Sequence, residues 1–327
     1  MRSVKLNLWY GLPMIEALPS ISVRGLSKSF TKGGPPAVSD LHFEIQQGET
    51  VAFLGPNGAG KSTTVKMLCG ILTPSSGSAR ILGHPAGSKS ANQALGLVFG
   101  TRSQLYLHMT VLQCLDLIAE IYHVTGAAKR NRISALVGLF DIERLVERRV
   151  RTLSLGERMA CEIVAALIHG PRVLLADEPT IGLDVVAKNR LRMLILKWQK
   201  EERTTLMLTS HDLSDVEALC ERCILIDQGV KRFDGKLSAL KGDLAWLRRI
   251  DVTSSIAARP VFSADPRIRT VDSNEAFIHR YELSTREINM SEGLASLSSH
   301  YGDGLQDIRI SEVSLEEVLH RIYAGGV

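Results

Sequence analysis

The stretch Gly55–Thr63, GPNGAGKST, sets glycines, one lysine and two hydroxyls directly behind the apolar run TVAFL. The spacing G-x-x-x-x-G-K-[ST] belongs to a loop whose backbone N–H groups turn inward around a phosphate. In such a loop Lys61 reaches the β- and γ-phosphates, and the Ser62 hydroxyl can ligate Mg²⁺. Strand, glycine-rich turn and helix start follow one another in the order this chemistry needs. A chance glycine-rich turn accounts poorly for that coincidence, so the residues point to a nucleoside triphosphate site.

Residues 173–180, VLLADEPT, form an apolar run that ends in two carboxylates. A strand covered on both faces has room for acid only at its carboxyl end, where ligands bind. Asp177 is placed there to hold Mg²⁺, and Glu178 to polarise an attacking water. An isolated Asp-Glu pair is more often a solvated loop, but a buried strand and an upstream phosphate loop favour the chemical reading. His211 in LTSHDL follows the apolar run TTLML. A lone histidine there is commonly structural; beside a nucleotide it would face the γ-phosphate or the water.

Residues 151–160, RTLSLGERMA, read as a helix start, with Ser154, Gly156 and Glu157 ahead of an apolar-periodic run. Free N–H groups and the positive end of the dipole suit an anion. No lysine stands nearby in sequence to complete a nucleotide site. Cys220 and Cys223 have CxxC spacing without a second pair, so core packing is expected there and no metal. His123 is read as a packing or surface residue.

These residues need a scaffold, and the pattern supplies one. From Ile21 to Phe99, short β-like runs (ISVRGL, LHFEI, TVAFLG, SARILG, LGLVFG) surround one helix through TTVKMLCGIL. Between about residues 101 and 170 the apolar spacing turns helical, in VLQCLDLIAEIYHV, KRNRISALVGLFDI and LGERMACEIVAALI. Strands and helices then alternate to about residue 240, which implies α/β architecture with a parallel sheet. Residues 241–327 read as a small α+β accessory domain ending in a helix capped by Ser314 and Glu317. Residues 1–19 read as a loosely ordered leader, with Met14 an alternative start.

The 327 residues are 45% hydrophobic and 23% charged, an ordinary globular balance. A net charge of +4 with both signs interspersed gives no case for nucleic acid as a partner. Five cysteines form no even framework, which fits a reducing, intracellular setting. No apolar run is long enough to span a bilayer.

In this order GPNGAGKST, LSLGE, VLLADEPTIGLD and LTSHD resemble the motifs of the ATP-binding subunit of an ABC transporter. The resemblance covers about residues 21–240. LSLGERM, EPTIGLDVVAK and VFGTRSQL are similar to bacterial efflux-type ATPases close to daunorubicin-resistance proteins, as is the tail ISEVSLEEVLHRIY. It implies a P-loop NTPase core with a helical subdomain, and ATP and Mg²⁺ as ligands. Gly55, Pro56, Asn57, Gly58, Ala59, Gly60, Lys61, Ser62 and Thr63 match the Walker A loop. Phe30 matches the aromatic that stacks on adenine, with Val38 an apolar neighbour. Asp177 and Glu178 match Walker B and the catalytic carboxylate, and His211 the switch histidine. Leu183 and Asp184 match the D-loop; Ser154, Leu155, Gly156 and Glu157 match the signature that meets a partner's ATP.

This chain departs from the family's usual pattern in three places. The usual signature Ser-Gly-Gly-Gln becomes Ser154-Leu155-Gly156-Glu157, so Leu155 adds a side chain near the phosphate approach. Glu157 suits the helix dipole but would weaken phosphate attraction if it pointed inward. At the Q-loop, Thr101 stands where the family has glutamine, with Gln104 three residues on. Either Thr101 or Gln104 serves there, or the contact is weaker.

The resemblance implies an ATPase subunit at the cytoplasmic face of the membrane, driving export of a drug, lipid or polysaccharide through a separate transmembrane permease. It also implies a homodimer, or a heterodimer with a related ATPase. The alternatives are a non-transport ABC ATPase, regulatory or acting on nucleic acid, and an import subunit.

Overall fold

The computed structural model describes residues 18–31, 33–210, 212–241, 246–255, 265–271, 277–313 and 315–323. The leader up to residue 17, His211 and Ser314 lie outside them. The chain divides into two compact units between Gly235 and Lys236.

The first unit runs β1 (Ile21–Lys28), β2 (Val38–Ile45), β3 (Thr50–Leu54), α1 (Lys61–Leu68), β4 (Ser76–Ile81), β5 (His84–Pro85), α2 (Lys89–Gln93) and β6 (Leu95–Phe99). It continues through α3 (Val111–Ile121), α4 (Gly126–Leu139), α5 (Leu155–Leu167), β7 (Val173–Asp177), α6 (Val185–Glu202), β8 (Thr205–Thr209), α7 (Leu213–Leu219), β9 (Arg222–Asp227) and β10 (Val230–Lys236). Six strands form one sheet in the order β10-β9-β3-β8-β7-β6. Every pair from β9 to β6 is parallel. β3, β7 and β8 are buried almost throughout, as strands covered on both faces must be.

Alternation of strands and helices accounts for that sheet but not for the strands around it. β1, β2, β4 and β5 form a separate antiparallel sheet in the order β2-β1-β4-β5. Only a turn rich in Gly and Pro joins β1 to β2, too short for the crossover a parallel pair requires. One apolar core, including Ile21, Phe43, Phe53, Leu68 and Val173, joins both sheets. Helix α1 is shorter than its apolar pattern, ending at Leu68 because Gly70 turns the chain with φ +75°. The helices α3 to α5 occupy the long connection between β6 and β7. Among the described residues no helix is long and apolar enough to cross a membrane.

The second unit comprises α8 (Leu237–Lys241), β11 (Leu247–Ser254), β12 (Ile268–Val271), β13 (Ile278–Ser284), α9 (Met290–Tyr301), β14 (Leu305–Glu312) and α10 (Leu315–Tyr323). Its antiparallel sheet has the order β12-β13-β11-β14. Ile250, Val252, Tyr281, Leu283 and Leu297 form its core, and the Tyr281 and Tyr301 hydroxyls are hydrogen-bonded within it. Glu317, expected in a cap with Ser314, forms an ion pair with Arg249.

Candidate functional site

Sheet order brings the chemistry together. β8 lies between β3 and β7, and β6 pairs beyond β7. The carboxyl ends of four neighbouring parallel strands therefore carry the glycine loop, Ser210, Asp177-Glu178 and Gly100-Thr101. Phe99 is in register with Asp177, and Asp177 with Thr209. This is the edge where open α/β sheets bind ligands.

At the loop, Gly60 precedes α1 with φ +104°, and a Cβ there would stand 2.5 Å from the Ala37 carbonyl oxygen. Only glycine fits. Lys61 is 7% exposed and its Nζ donates to the carbonyls of Gly55 at 2.6 Å and Pro56 at 3.1 Å. The ammonium is thus held in the mouth of its own loop. Burial pulls its pKa below the ordinary lysine value, while the charges of Glu178 and Asp177 pull it back up. Asn57, Gly58 and Ser62 are exposed. An accessible hydroxyl, a caged cation and the start of a helix suit a polyphosphate.

Phe30 is 63% exposed, with Lys28 Nζ 5.5 Å from its ring centroid, so the ring is available for stacking. Val38, expected beside it, is 1% exposed. Its side chain packs beneath Gly60 in the core, leaving no surface to offer a base.

Asp177 Oδ1 accepts a hydrogen bond from Thr209 Oγ1 at 2.5 Å, and its backbone oxygen accepts from Gly100 N at 2.8 Å. Glu178 N donates to Thr209 O at 3.0 Å. Glu178 itself has φ +54°, a left-handed conformation that non-glycine residues adopt only when their surroundings enforce it.

The signature helix α5 begins with a complete capping box. Ser154 N donates to Glu157 Oε2 at 3.0 Å, and Glu157 N donates to Ser154 Oγ at 3.2 Å. Arg148 and Arg144 add ion pairs to the same carboxylate at 3.2 and 3.4 Å. The Ser154 N–H holds its pKa below the ordinary glutamate value; burial opposes this, and Arg148, the Ser154 hydroxyl and Arg144 add smaller lowering effects. Glu157 therefore serves its own helix. Leu155 packs against Gly182, and Gly156 lies beside Ala187 and Leu183. Leu183 is buried, and Asp184 caps α6 by accepting from Ala187 N at 2.8 Å. A cleft of about 340 Å³ lies between these parts, on the signature side and not at the glycine loop.

Both Q-loop candidates, Thr101 and Gln104, are exposed. Gln104 Nε2 donates to the Glu162 backbone oxygen at 2.9 Å, and Gln104 N to its Oε2 at 3.1 Å. Ser103 Oγ donates to the same carboxylate. Gln104 is thus docked on α5 through both its side-chain amide and its backbone N–H. Cys220 and Cys223 are buried thiols, and among the described residues no three His, Cys, Asp or Glu cluster as a metal site.

Sequence reasoning missed Thr209, Glu162 and Asp215. An acid within the otherwise apolar run ACEIVAAL was a signal for Glu162; nothing local marks the other two.

The parallel sheet with a glycine loop and Lys61 after β3 is the fold of a P-loop NTPase. Residues 38–181 match the family model described as ABC transporter. The chain is 35% identical over 206 residues to the ABC transporter ATP-binding protein NatA of Bacillus subtilis, covering 62% of this chain and 83% of that one. It is 34% identical over 230 residues to the Nod factor export ATP-binding protein I of Ralstonia nicotianae, covering 68% and 69%. The solved dimeric structure of MJ0796, a bacterial ABC transporter cassette, is 25% identical with TM-score 0.59, covering 66% and 98%. The chain belongs to the ABC transporter ATP-binding family and is an ATPase subunit of a transporter.

Proposed function

We propose that this chain powers export through a separate membrane-spanning permease, working at the cytoplasmic face as one of a head-to-tail pair closed over two ATP molecules. One observation carries the reading. Lys61 is caged by its own loop beside the charges of Glu178 and Asp177, and Arg144 and Arg148 pair with Glu157 at the helix start behind Ser154, which supports reading the two places as complementary half-sites. Ser154 and Gly156 then meet the phosphate held by Lys61 of the other copy.

Within each composite site, the loop of residues 55–63 cradles the phosphates, Phe30 stacks on adenine, and Lys61 stabilises charge on the β/γ oxygens. Ser62 and Asp177 are the residues that would hold Mg²⁺; a hydroxyl and one carboxylate beside substrate phosphates suit that cation better than an all-protein cage. When bound, it neutralises phosphate charge. Glu178 orients the attacking water and His211 contacts the γ-phosphate. Leu183 and Asp184 lie toward the partner copy. The Nod factor export protein among the relatives supports export over import.

The experiment is Glu178→Gln. We expect it to bind ATP, hydrolyse it very slowly and elute as an ATP-dependent dimer in size-exclusion chromatography. Wild-type turnover in that variant would defeat the assignment. For transport, co-expression with a candidate permease should yield a complex that moves cargo outward from the ATP side; inward movement would defeat export.

A further inference from the structure

We infer that Asp215 is a positioning residue for hydrolysis: its buried carboxylate holds the segment after Glu178 and the segment entering His211 in one register. The inference rests on the roles proposed above for those two residues.

Asp215 stands in the first turn of α7 and is 0% exposed. An acid at a helix start gains from the dipole while remaining in water, so helix stability alone does not require this burial. Three donors from different parts of the chain converge on it. Thr180 Oγ1 donates to Oδ2, Ser210 Oγ lies 3.0 Å from the same oxygen, and Arg192 Nε donates to Oδ1 at 2.5 Å. Thr180 is two residues past Glu178, Ser210 directly precedes His211, and Arg192 lies on α6 behind the Asp184 cap.

The other sequence neighbour of His211 is tied in as well. Asp212 N donates to Ser210 Oγ at 3.0 Å, and Asp212 Oδ2 accepts from Lys188 Nζ of α6 at 2.6 Å. Both residues flanking His211 are therefore anchored to the network, and α6 holds it from behind through Arg192 and Lys188. Burying an ion pair is costly in solvation, and what a fully hydrogen-bonded one provides is geometric definition. Here that definition falls on the two segments whose sequence carries Glu178 and His211.

The test is steady-state ATP hydrolysis by the full chain, with KM for ATP and the thermal midpoint measured beside kcat. Thr180→Val and Ser210→Ala each remove one hydroxyl and little volume, while Asp215→Asn removes the charge. We expect kcat to fall about tenfold in each, with KM changed by less than about twofold. Adding Thr180→Val to Asp215→Asn should cost little more, because both act through one carboxylate. Variants that lose thermal stability but keep wild-type kcat would show a purely structural role and overturn the inference. If Asp215→Asn does not fold, the two hydroxyl variants decide by the same criterion. His211→Ala separates the two levels: wild-type turnover there removes the underlying role and the inference with it. Loss of turnover there, with unchanged kcat in Thr180→Val and Ser210→Ala, removes the inference alone.

Discussion

The Cδ2 methyl of Leu155 lies 3.0 Å from where a Cβ on Gly182 would stand, with Gly182 itself at φ +73°. The side chain that departs from the usual signature glycine is therefore seated against the D-loop turn of its own chain. Leu155→Gly should uncover that turn and enlarge the neighbouring cleft. We expect a stability loss of about 1–3 kcal/mol from lost packing and added backbone freedom, measured by chemical denaturation. The packing also predicts that Leu155 does not obstruct nucleotide-driven pairing. In the Glu178→Gln background the ATP-dependent dimer should form equally well with Leu155 present; a dimer appearing only after Leu155→Gly would show the side chain to be an obstacle.

Glu157 is the second departure. Glutamine can take its place in the capping box, so Glu157→Gln should hold α5 in place and cost at most about 1 kcal/mol. The pH dependence should change more visibly. Folding depresses the Glu157 pKa, so its contribution is present above the ordinary glutamate value and is lost as pH falls through the lower folded value. Glu157→Gln should lack that part of the acid-induced loss of stability. An unchanged acid profile would show that neither the Ser154 N–H nor the arginines stabilise the charged form.

That Lys61, Asp177 and Glu178 stand at the carboxyl ends of parallel strands was legible because the roles proposed for them call for a residue type at a set distance from a strand end. The supporting partners have no such local spacing. Thr209 meets Asp177 across 32 positions, Thr180 meets Asp215 across 35, and Gln104 meets the Glu162 backbone across 58. Only strand order and helix packing bring them together. The same limit explains Val38, whose apolar character suits a core as well as a base-stacking surface; its burial under Gly60 is a tertiary fact. It also explains the antiparallel sheet, since the β-like runs before Phe99 carry no marker of which strands pair.

His169 stacks on Tyr122 with ring centroids 3.8 Å apart and hydrogen-bonds the Leu95 carbonyl oxygen through Nε2 at 2.9 Å. Burial, aided by the charge of Arg132 and opposed by the Leu95 carbonyl, pushes its pKa from 6.5 down to about 4. The unfolded chain then takes up this proton before the folded one does. The contribution is complete above the unfolded value of 6.5 and is lost as pH falls through about 4. We expect up to about 3 kcal/mol of stability to disappear across that window. His169→Gln keeps a donor for Leu95 and removes the titration, so its stability should vary less over the same range. Equal slopes in denaturation series from pH 7 to 4 would count against this origin.

The CxxC pair offers a test of the packing reading against a metal or redox one. Cys69, Cys114, Cys161, Cys220 and Cys223 are all free and buried. Burial raises every one of these thiols, with Cys69, Cys161 and Cys223 pushed up to about 12. Reaction with a disulfide reagent needs an accessible thiolate, and the folded chain presents neither access nor ionisation at pH 8. We expect no fast labelling of the native protein and five equivalents once it is unfolded in guanidinium chloride. ATP should slow any residual labelling, since ligand binding suppresses the opening that exposes buried thiols. Two equivalents reacting rapidly in the native state, mapped to Cys220 and Cys223, would overturn the packing reading. A chelator-sensitive thermal midpoint would point instead to a metal at that pair.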